Sequence, residues 1–352
     1  MSSTSRITAY YPYEILSKKK TEASLLLFVQ DPMTRQPLVM KILLPYKDTR
    51  YNRGTLSERQ MCQLQALDWN RKFTPEVYIG LAYLYKQDDR QICISKIVRE
   101  PSKEEMRDDV EYVLLMERLP EDRCLDTLLD KLSKTTFAQF ELLTRHIAQL
   151  HMDLNPLADI QWGSLDHLQR KLEHNIELFN LMLEKDIANR YVNYRNIPDT
   201  LTSVFKHKQY RKYFEQRFRE HRIKHCHGDL KLSNIWLIPT DHSEAHQRIL
   251  LLDAIDFNPI YSNIDILSDF AMLLVDVQAH TLSSTLVGEM IEHYLQLTDQ
   301  GSEINRSVLN YYLVEKAMVC AAVSIVDYSH LGQNYLEVAQ MHLNELKYRL
   351  NS

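Results

Sequence analysis

The period of the hydrophobic pattern changes once, about a third of the way along the chain, and that change limits what the chain can fold into. Before residue 118, apolar residues come in short β-rich runs: Ala23 to Gln30, Pro37 to Leu44, Val77 to Tyr85, Ile92 to Val98 and Tyr112 to Arg118. The first two flank Asp31-Pro32-Met33-Thr34-Arg35-Gln36, whose turn residues predict a hairpin. One helix interrupts these runs, opening near Ser57 and Glu58, carrying Met61, Leu64 and Leu67, and ending before Pro75. From Leu125 the apolar spacing becomes three and four, over Phe137 to Leu154, Leu165 to Leu181, Phe205 to Phe218, Ile264 to Ala279, Ser284 to Leu297, Asn305 to Val326 and Tyr335 to Leu350. Only Ile235 to Ile238 and Ile249 to Asp253 return to a strand-like pattern. The expectation is an α+β chain of two lobes: a small β-rich lobe over 1–115, a hinge at 116–120, and a large helical lobe over 121–352.

Composition excludes several classes. Hydrophobic residues make up 45% and charged residues 25%, as in an ordinary soluble domain. The net charge of −5 gives no basic surface for nucleic acid, and the aromatic residues do not interleave with a basic stripe. Lys18, Lys19 and Lys20 form the one basic run, read as a solvated face. Five cysteines without a Cys-x-x-Cys pair read as buried thiols. Met1 to Pro12 lacks the apolar core of a signal peptide, and Ala317 to Val326 is about half of the roughly 20 residues a membrane span needs. A cytoplasmic protein without nucleic-acid or membrane partners is expected. Oligomeric state is not legible.

The string His227-Gly228-Asp229-Leu230-Lys231-Leu232-Ser233-Asn234, followed nineteen residues later by Asp253, carries the chemistry. Phosphoryl transfer asks a protein for oxygen ligands to Mg²⁺, cations on the phosphates, and a carboxylate that accepts the proton of an attacking hydroxyl. Asp229 fits the base, Asn234 and Asp253 the metal ligands, and Lys231 a cation for the transferring group. Asp256 is a second candidate for the metal, because Ile255-Asp256-Phe257 imitates a kinase metal motif. Lys41 interrupts the apolar run Leu38 to Leu44, where an unpaired ammonium would be costly, so it should have an anionic partner. His225, Cys226 and His227, or His242 and His246, are weak metal candidates, since the second pair lies in a polar loop without the glutamate of a zinc helix.

His-Gly-Asp-x-x-x-x-Asn with Leu-Leu-Asp resembles the aminoglycoside phosphotransferase and choline kinase superfamily, which shares the protein-kinase fold. Val39-Met40-Lys41-Ile42, the stretch from Trp69 to Gly80, Met116-Glu117-Arg118-Leu119-Pro120 and Asp253-Ala254-Ile255-Asp256-Phe257-Asn258 extend the resemblance over nearly the whole chain. They point to a bacterial branch often fused to a P-loop ATPase half. No Gly-x-x-x-x-Gly-Lys-Ser/Thr string is present, so ATP would be bound by the kinase residues alone.

The resemblance implies roles. Lys41 would hold the α- and β-phosphates and pair with a helix carboxylate; the branch has glutamate where this chain has Ala66, leaving Glu58 as the best substitute and Asp68 as a weaker one. The backbone of Met116, Glu117 and Arg118 would meet adenine. His227 would orient the catalytic loop, Asp265 would brace it through backbone hydrogen bonds, and Asp269 would be a first-turn residue favoured by the helix dipole. Asp253 is preferred over Asp256 for the metal because its twelve-residue distance to Asp265 fits the family. Gly228 stands where protein kinases carry the arginine that grips a phosphorylated loop, so activation by loop phosphorylation is not expected.

The implied activity is an ATP- and Mg²⁺-dependent phosphotransferase acting on a hydroxyl of a small-molecule acceptor. Two rivals stand beside it. The missing glutamate and the glycine-free stretch between Ile15 and Leu27 favour a nucleotide-binding pseudokinase or regulatory module. Lys231, two residues after the base, favours an atypical protein serine/threonine kinase, against which stands the lack of an Ala-Pro-Glu segment after Asp253.

Overall fold

The computed structural model describes residues 11–47, 52–101, 109–129, 136–185, 190–240, 247–326 and 331–351. His242 and His246 lie outside them. The chain divides into two compact units. One comprises Met1–Glu121 with Leu250–Asn258, the other Asp122–Ile249 with Pro259–Ser352.

In the first unit β1 (Tyr11–Lys20), β2 (Ser24–Gln30) and β3 (Pro37–Leu43) precede helix α1 (Leu56–Phe73), and β4 (Tyr78–Gln87), β5 (Gln91–Ile94) and β6 (Tyr112–Glu117) follow it. The six strands close a barrel in the order β1-β2-β3-β6-β4-β5, with β5 pairing back onto β1. Alternation fills it: Leu27, Val29, Met40, Ile92, Ile94, Val113 and Leu115 are fully buried in one cluster. Lys41 lies between Met40 and Ile42 on β3 and so faces away from that core, opposite Leu26 on β2 and Leu114 on β6. The expected hairpin forms, with Phe28 opposite Val39. The β1–β2 turn closes without glycine because the Thr21 hydroxyl accepts the Ser24 N–H at 3.0 Å. Lys18, Lys19 and Lys20 are exposed on β1, and Lys18 pairs with Asp89 at 2.8 Å.

The second unit is mainly helical. It contains α2 (Leu125–Leu129), α3 (Thr136–Asp153), α4 (Leu165–Lys185), α5 (Ile197–Val204) and α6 (Lys208–Arg219), then β7 (Ile223–His225), β8 (Ile235–Pro239) and most of β9 (Gln247–Leu251). α7 (Pro259–Ser262), β10 (Asn263–Asp265), α8 (Ile266–Thr281), α9 (Ser284–Leu297), α10 (Glu303–Val326) and α11 (Gly332–Asn351) complete it. β7 pairs antiparallel with β10, and β8 with β9. α8 is buried along nearly its whole length, and α10 packs against α8, α11 and α4. Glu303–Ile325 is long and apolar enough to cross a membrane, but 78% of its most apolar window is buried inside the protein, as in a core helix. All five cysteines are buried and free.

Candidate active site

The segment Leu250–Asn258 belongs to the β-rich unit, and three side chains secure its backbone there. Thr74, just past the end of α1, donates its hydroxyl to the Leu251 carbonyl at 2.7 Å and accepts the Leu251 N–H at 3.0 Å. Asn70 accepts the Ala254 N–H at 2.8 Å while its own amide nitrogen donates to the Ala66 carbonyl. The Tyr78 hydroxyl accepts the Asp253 N–H at 2.9 Å. Burial and then the Asp253 carboxylate push the Tyr78 phenol well above its ordinary pKa, so it stays neutral. These bonds give the stretch from Trp69 to Gly80 its physical meaning: it seats the loop that carries Asp253.

Asp253 adopts φ 59°, a left-handed conformation that aspartate tolerates better than most residues, and 64% of its side chain is exposed. Its Oδ1 lies 2.8 Å from Lys41 Nζ. Burial disfavours the Lys41 ammonium, but the Asp253 and Asp256 carboxylates outweigh it and hold the pKa above its ordinary value. The anionic partner expected for Lys41 is therefore Asp253.

Asp256 differs from Asp253 although only three residues separate them. Its side chain is 8% exposed and lies 3.5 Å from Arg53, whose guanidinium sits over the Phe257 ring. Burial, opposed by Lys41 and Arg53, pushes its pKa up to about 6. An exposed carboxylate suits Mg²⁺, a hard cation that keeps several waters, better than a buried one committed to arginine.

Glu58 does not take the place expected of it. Its carboxylate closes a capping box at the start of α1, accepting the Thr55 N–H at 2.8 Å and bonding Asn52 at 2.5 Å, so it serves helix geometry. Asp68 pairs with Lys72 on the solvent side of α1. The residue that α1 presents to β3 is Gln63, which donates to the Lys41 carbonyl at 2.8 Å.

At the expected hinge, the Glu117 N–H donates to the Val77 carbonyl at 2.9 Å and the Arg118 N–H to the Pro37 carbonyl at 3.1 Å. Met116 pairs with Val39 on one side and Tyr78 on the other. Glu117 and Arg118 could therefore offer adenine their carbonyl oxygens, but not these committed donors. The Arg118 guanidinium stacks on Phe28 and lies 3.5 Å from Glu121.

The second set of groups lies in the helical unit. β7 delivers the chain into His227, and Gly228 turns it with φ 85°, a conformation that costs glycine little and other residues more. Leu230 and Leu232 are fully buried and anchor the loop, which ends in a 3-10 turn over Leu232–Asn234. The Asn234 amide nitrogen donates to the Asp229 carbonyl at 2.9 Å and to its Oδ2 at 3.0 Å. Neither bond uses Asn234 Oδ1, the oxygen a metal would need. Lys231 Nζ lies 3.1 Å from Asp229 Oδ1. The Asp229 carboxylate outweighs burial and holds the Lys231 ammonium well above its ordinary pKa. The Asp229 N–H donates to His227 Nδ1 at 3.3 Å, which places His227 as support for the loop.

The brace of this loop is Asp269, not Asp265. Asp269 accepts the Gly228 N–H at 2.7 Å and the His227 N–H at 3.1 Å, and it lies 3.1 Å from His151 Nε2. Burial opposes its ionisation, but His151, His227 and the Gly228 N–H outweigh it and hold the carboxyl below its ordinary pKa. β10 sets Asp265 opposite Ile223, four residues before the loop, and Asp269 follows one turn, about 6 Å, along α8. Asp265 instead caps α8 by accepting the Leu267 N–H at 2.9 Å and grips Arg217 with both carboxylate oxygens, at 2.5 and 2.7 Å. Among the described residues, His151, Cys226 and Asp269 form a buried group with metal-ligand spacing. The Cys226 thiol, pushed well above its ordinary pKa by burial, donates to the Ile264 carbonyl, and the other two serve the brace.

No protein-family model matches the chain, and no curated protein sequence does. Its fold is similar to that of a Plasmodium vivax ethanolamine kinase, at 12% identity, covering 97% of this chain and 84% of the other with a TM-score of 0.51. It is also similar to a choline kinase from Cryptosporidium parvum, at 11% identity, covering 96% and 90%, with a TM-score of 0.52. At such identity the likeness establishes the fold alone, a protein-kinase-like fold with a β-rich first unit and a helical second.

Proposed function

We propose that the chain is an ATP- and Mg²⁺-dependent phosphotransferase that moves the γ-phosphate of ATP to a hydroxyl of a small-molecule acceptor. The observation that carries this reading is the Asp229 carboxylate, gripped by Lys231 and Asn234 inside a loop braced from α8, in a kinase-like fold. Asp229 accepts the proton of the acceptor hydroxyl as that oxygen bonds to the γ-phosphorus and the bond to the bridging oxygen of ADP breaks. Lys231 stays cationic and offsets charge on the transferring group. Lys41 is the cation for the α- and β-phosphates. Asn234 Oδ1 in the helical unit and the exposed Asp253 carboxylate in the β-rich unit are each oxygen donors whose chemistry fits Mg²⁺. When bound, the ion offsets charge along the triphosphate.

The two similar structures are kinases of ethanolamine and choline, both alcohols, which supports an alcohol acceptor without identifying it. Five buried, free cysteines support a reducing compartment, and we place the reaction in the cytoplasm. Asp229→Asn should lower ATP turnover by about 10²-fold or more while MgATP affinity stays within about threefold, since the base acts on the acceptor and not on the nucleotide. Loss of binding in that variant would show that Asp229 has another role.

One observation favours a second reading. With Ala66 at the family glutamate position and Glu58 in the helix cap, Lys41 has no carboxylate from α1 among the described residues, as in a nucleotide-binding regulatory module. MgATP binding without turnover by the wild type would select it.

A further inference from the structure

α8 carries a second carboxylate that the proposed mechanism leaves unused. Asp276 lies seven residues, two turns, beyond Asp269, so both project toward the same side of the helix. It is 2% exposed, and its Oδ2 accepts the Leu232 N–H at 2.6 Å. Leu232 begins the turn that ends at Asn234, and its own side chain is fully buried. The Tyr335 hydroxyl, from the first turn of α11, donates to Asp276 Oδ1. His280, one turn further along α8, bonds the Asp276 carbonyl at 2.8 Å and lies 3.4 Å from Oδ1.

We infer that Asp276 is a positioning residue of the catalytic loop, holding its Asn234 end as Asp269 holds its His227 end, and that through Tyr335 it ties this loop to the C-terminal helix. A loop held at one end could pivot about it. Held at Gly228 and again at Leu232, the backbone on both sides of Asp229 is set by a single helix, and Asn234 can keep its amide on the Asp229 carboxylate. The Leu232 N–H is buried, so without Asp276 it would have neither water nor a carboxylate to bond. Replacing Tyr335 would act on the loop at second hand, by loosening Asp276.

The consequence for turnover rests on the phosphotransferase reading, but the brace does not, and hydrogen exchange separates the two. Amide exchange would be followed in wild type, Asp276→Ala, Asp276→Asn and Tyr335→Phe, with ATP turnover in the same preparations. In Asp276→Ala the Leu232 amide should exchange about tenfold faster or more, while the amides of α8 and α10 keep their protection. Asp276→Asn, whose amide oxygen still accepts that N–H, should restore much of it. Turnover per folded molecule in Asp276→Ala, with the folded fraction measured in the same sample, should fall about tenfold with KM for MgATP within about threefold. If Asp276→Ala fails to fold, Tyr335→Phe decides, because it keeps the ring contacts and should speed Leu232 exchange about threefold. Unchanged Leu232 exchange in the deciding variant, or a uniform rise across the helical unit, overturns the inference. A wild type that turns over no ATP would sink the phosphotransferase reading and leave the exchange result to stand for or against the brace.

Discussion

Asp265→Asn separates the two aspartates that begin α8. Arg217 is fully buried, and its guanidinium meets both Asp265 oxygens, Gln300 Oε1 at 2.5 Å and Asn305 Oδ1 at 2.9 Å. Asparagine keeps the shape and the cap on the Leu267 N–H but removes the negative charge, leaving a buried guanidinium with only neutral oxygens. Removing one partner of a buried ion pair costs about 3–5 kcal/mol, against a total stability of about 5–15 kcal/mol. With a urea dependence of ~3 kcal/mol/M, the unfolding midpoint of the helical unit should fall by about 1–1.7 M. Trp162 and Trp236 fluorescence reports on that unit. Replacing the pair together, as Arg217→Met with Asp265→Leu, should recover most of the loss. A midpoint for Asp265→Asn within about 0.3 M of wild type would refute the assignment of Asp265 to a buried structural pair.

Four other outcomes follow from the same geometry. Asn70→Ala removes the acceptor of the Ala254 N–H and should cost about 1–3 kcal/mol and weaken Mg²⁺-dependent nucleotide binding, read by urea unfolding and calorimetry. Glu58→Gln should leave MgATP affinity within about twofold of wild type, because Glu58 belongs to the helix cap, whereas Lys41→Met should weaken it about tenfold or more. The Asp256 pKa, raised to about 6, means that the folded state holds this proton more tightly than the unfolded chain; its contribution is complete below pH 3.8 and is lost as pH rises through about 6. Asp256→Asn should therefore flatten the fall in stability between about pH 4 and 7, measured as urea midpoints across that range. Gly228→Ala places a Cβ at φ 85° and should cost about 1 kcal/mol or more of stability in thermal unfolding.

The residues proposed to carry chemistry stood out in the sequence because they are close together and each has a demanding residue type. Asp229, Lys231 and Asn234 do meet within one loop, and Lys41 finds the carboxylate that its position in an apolar run required. What the sequence concealed was which of several acids each backbone group would meet. Asp265 and Asp269 both stand at a helix start where the dipole favours either, and only their backbone partners, Leu267 for one and His227 and Gly228 for the other, tell them apart. Glu58 was legible as part of a helix start, and that role excludes the pairing with Lys41 that the missing glutamate suggested. β1 was missed because its alternation, Tyr11, Tyr13 and Ile15, is short, leaves only Tyr13 buried, and gives way to the exposed Lys18 to Lys20. Asn70, Thr74 and Tyr78 lay in a stretch noticed for its resemblance, but their work is on backbone groups some 180 residues away, which spacing cannot show.

The most direct test of the central claim is calorimetric titration of MgATP into the wild-type chain and into Asp253→Ala, with and without Mg²⁺. A phosphotransferase site predicts binding by the wild type that requires Mg²⁺ and is lost or strongly weakened in the variant. Absence of MgATP binding by the folded wild type would contradict the account and leave a kinase-shaped chain with another role.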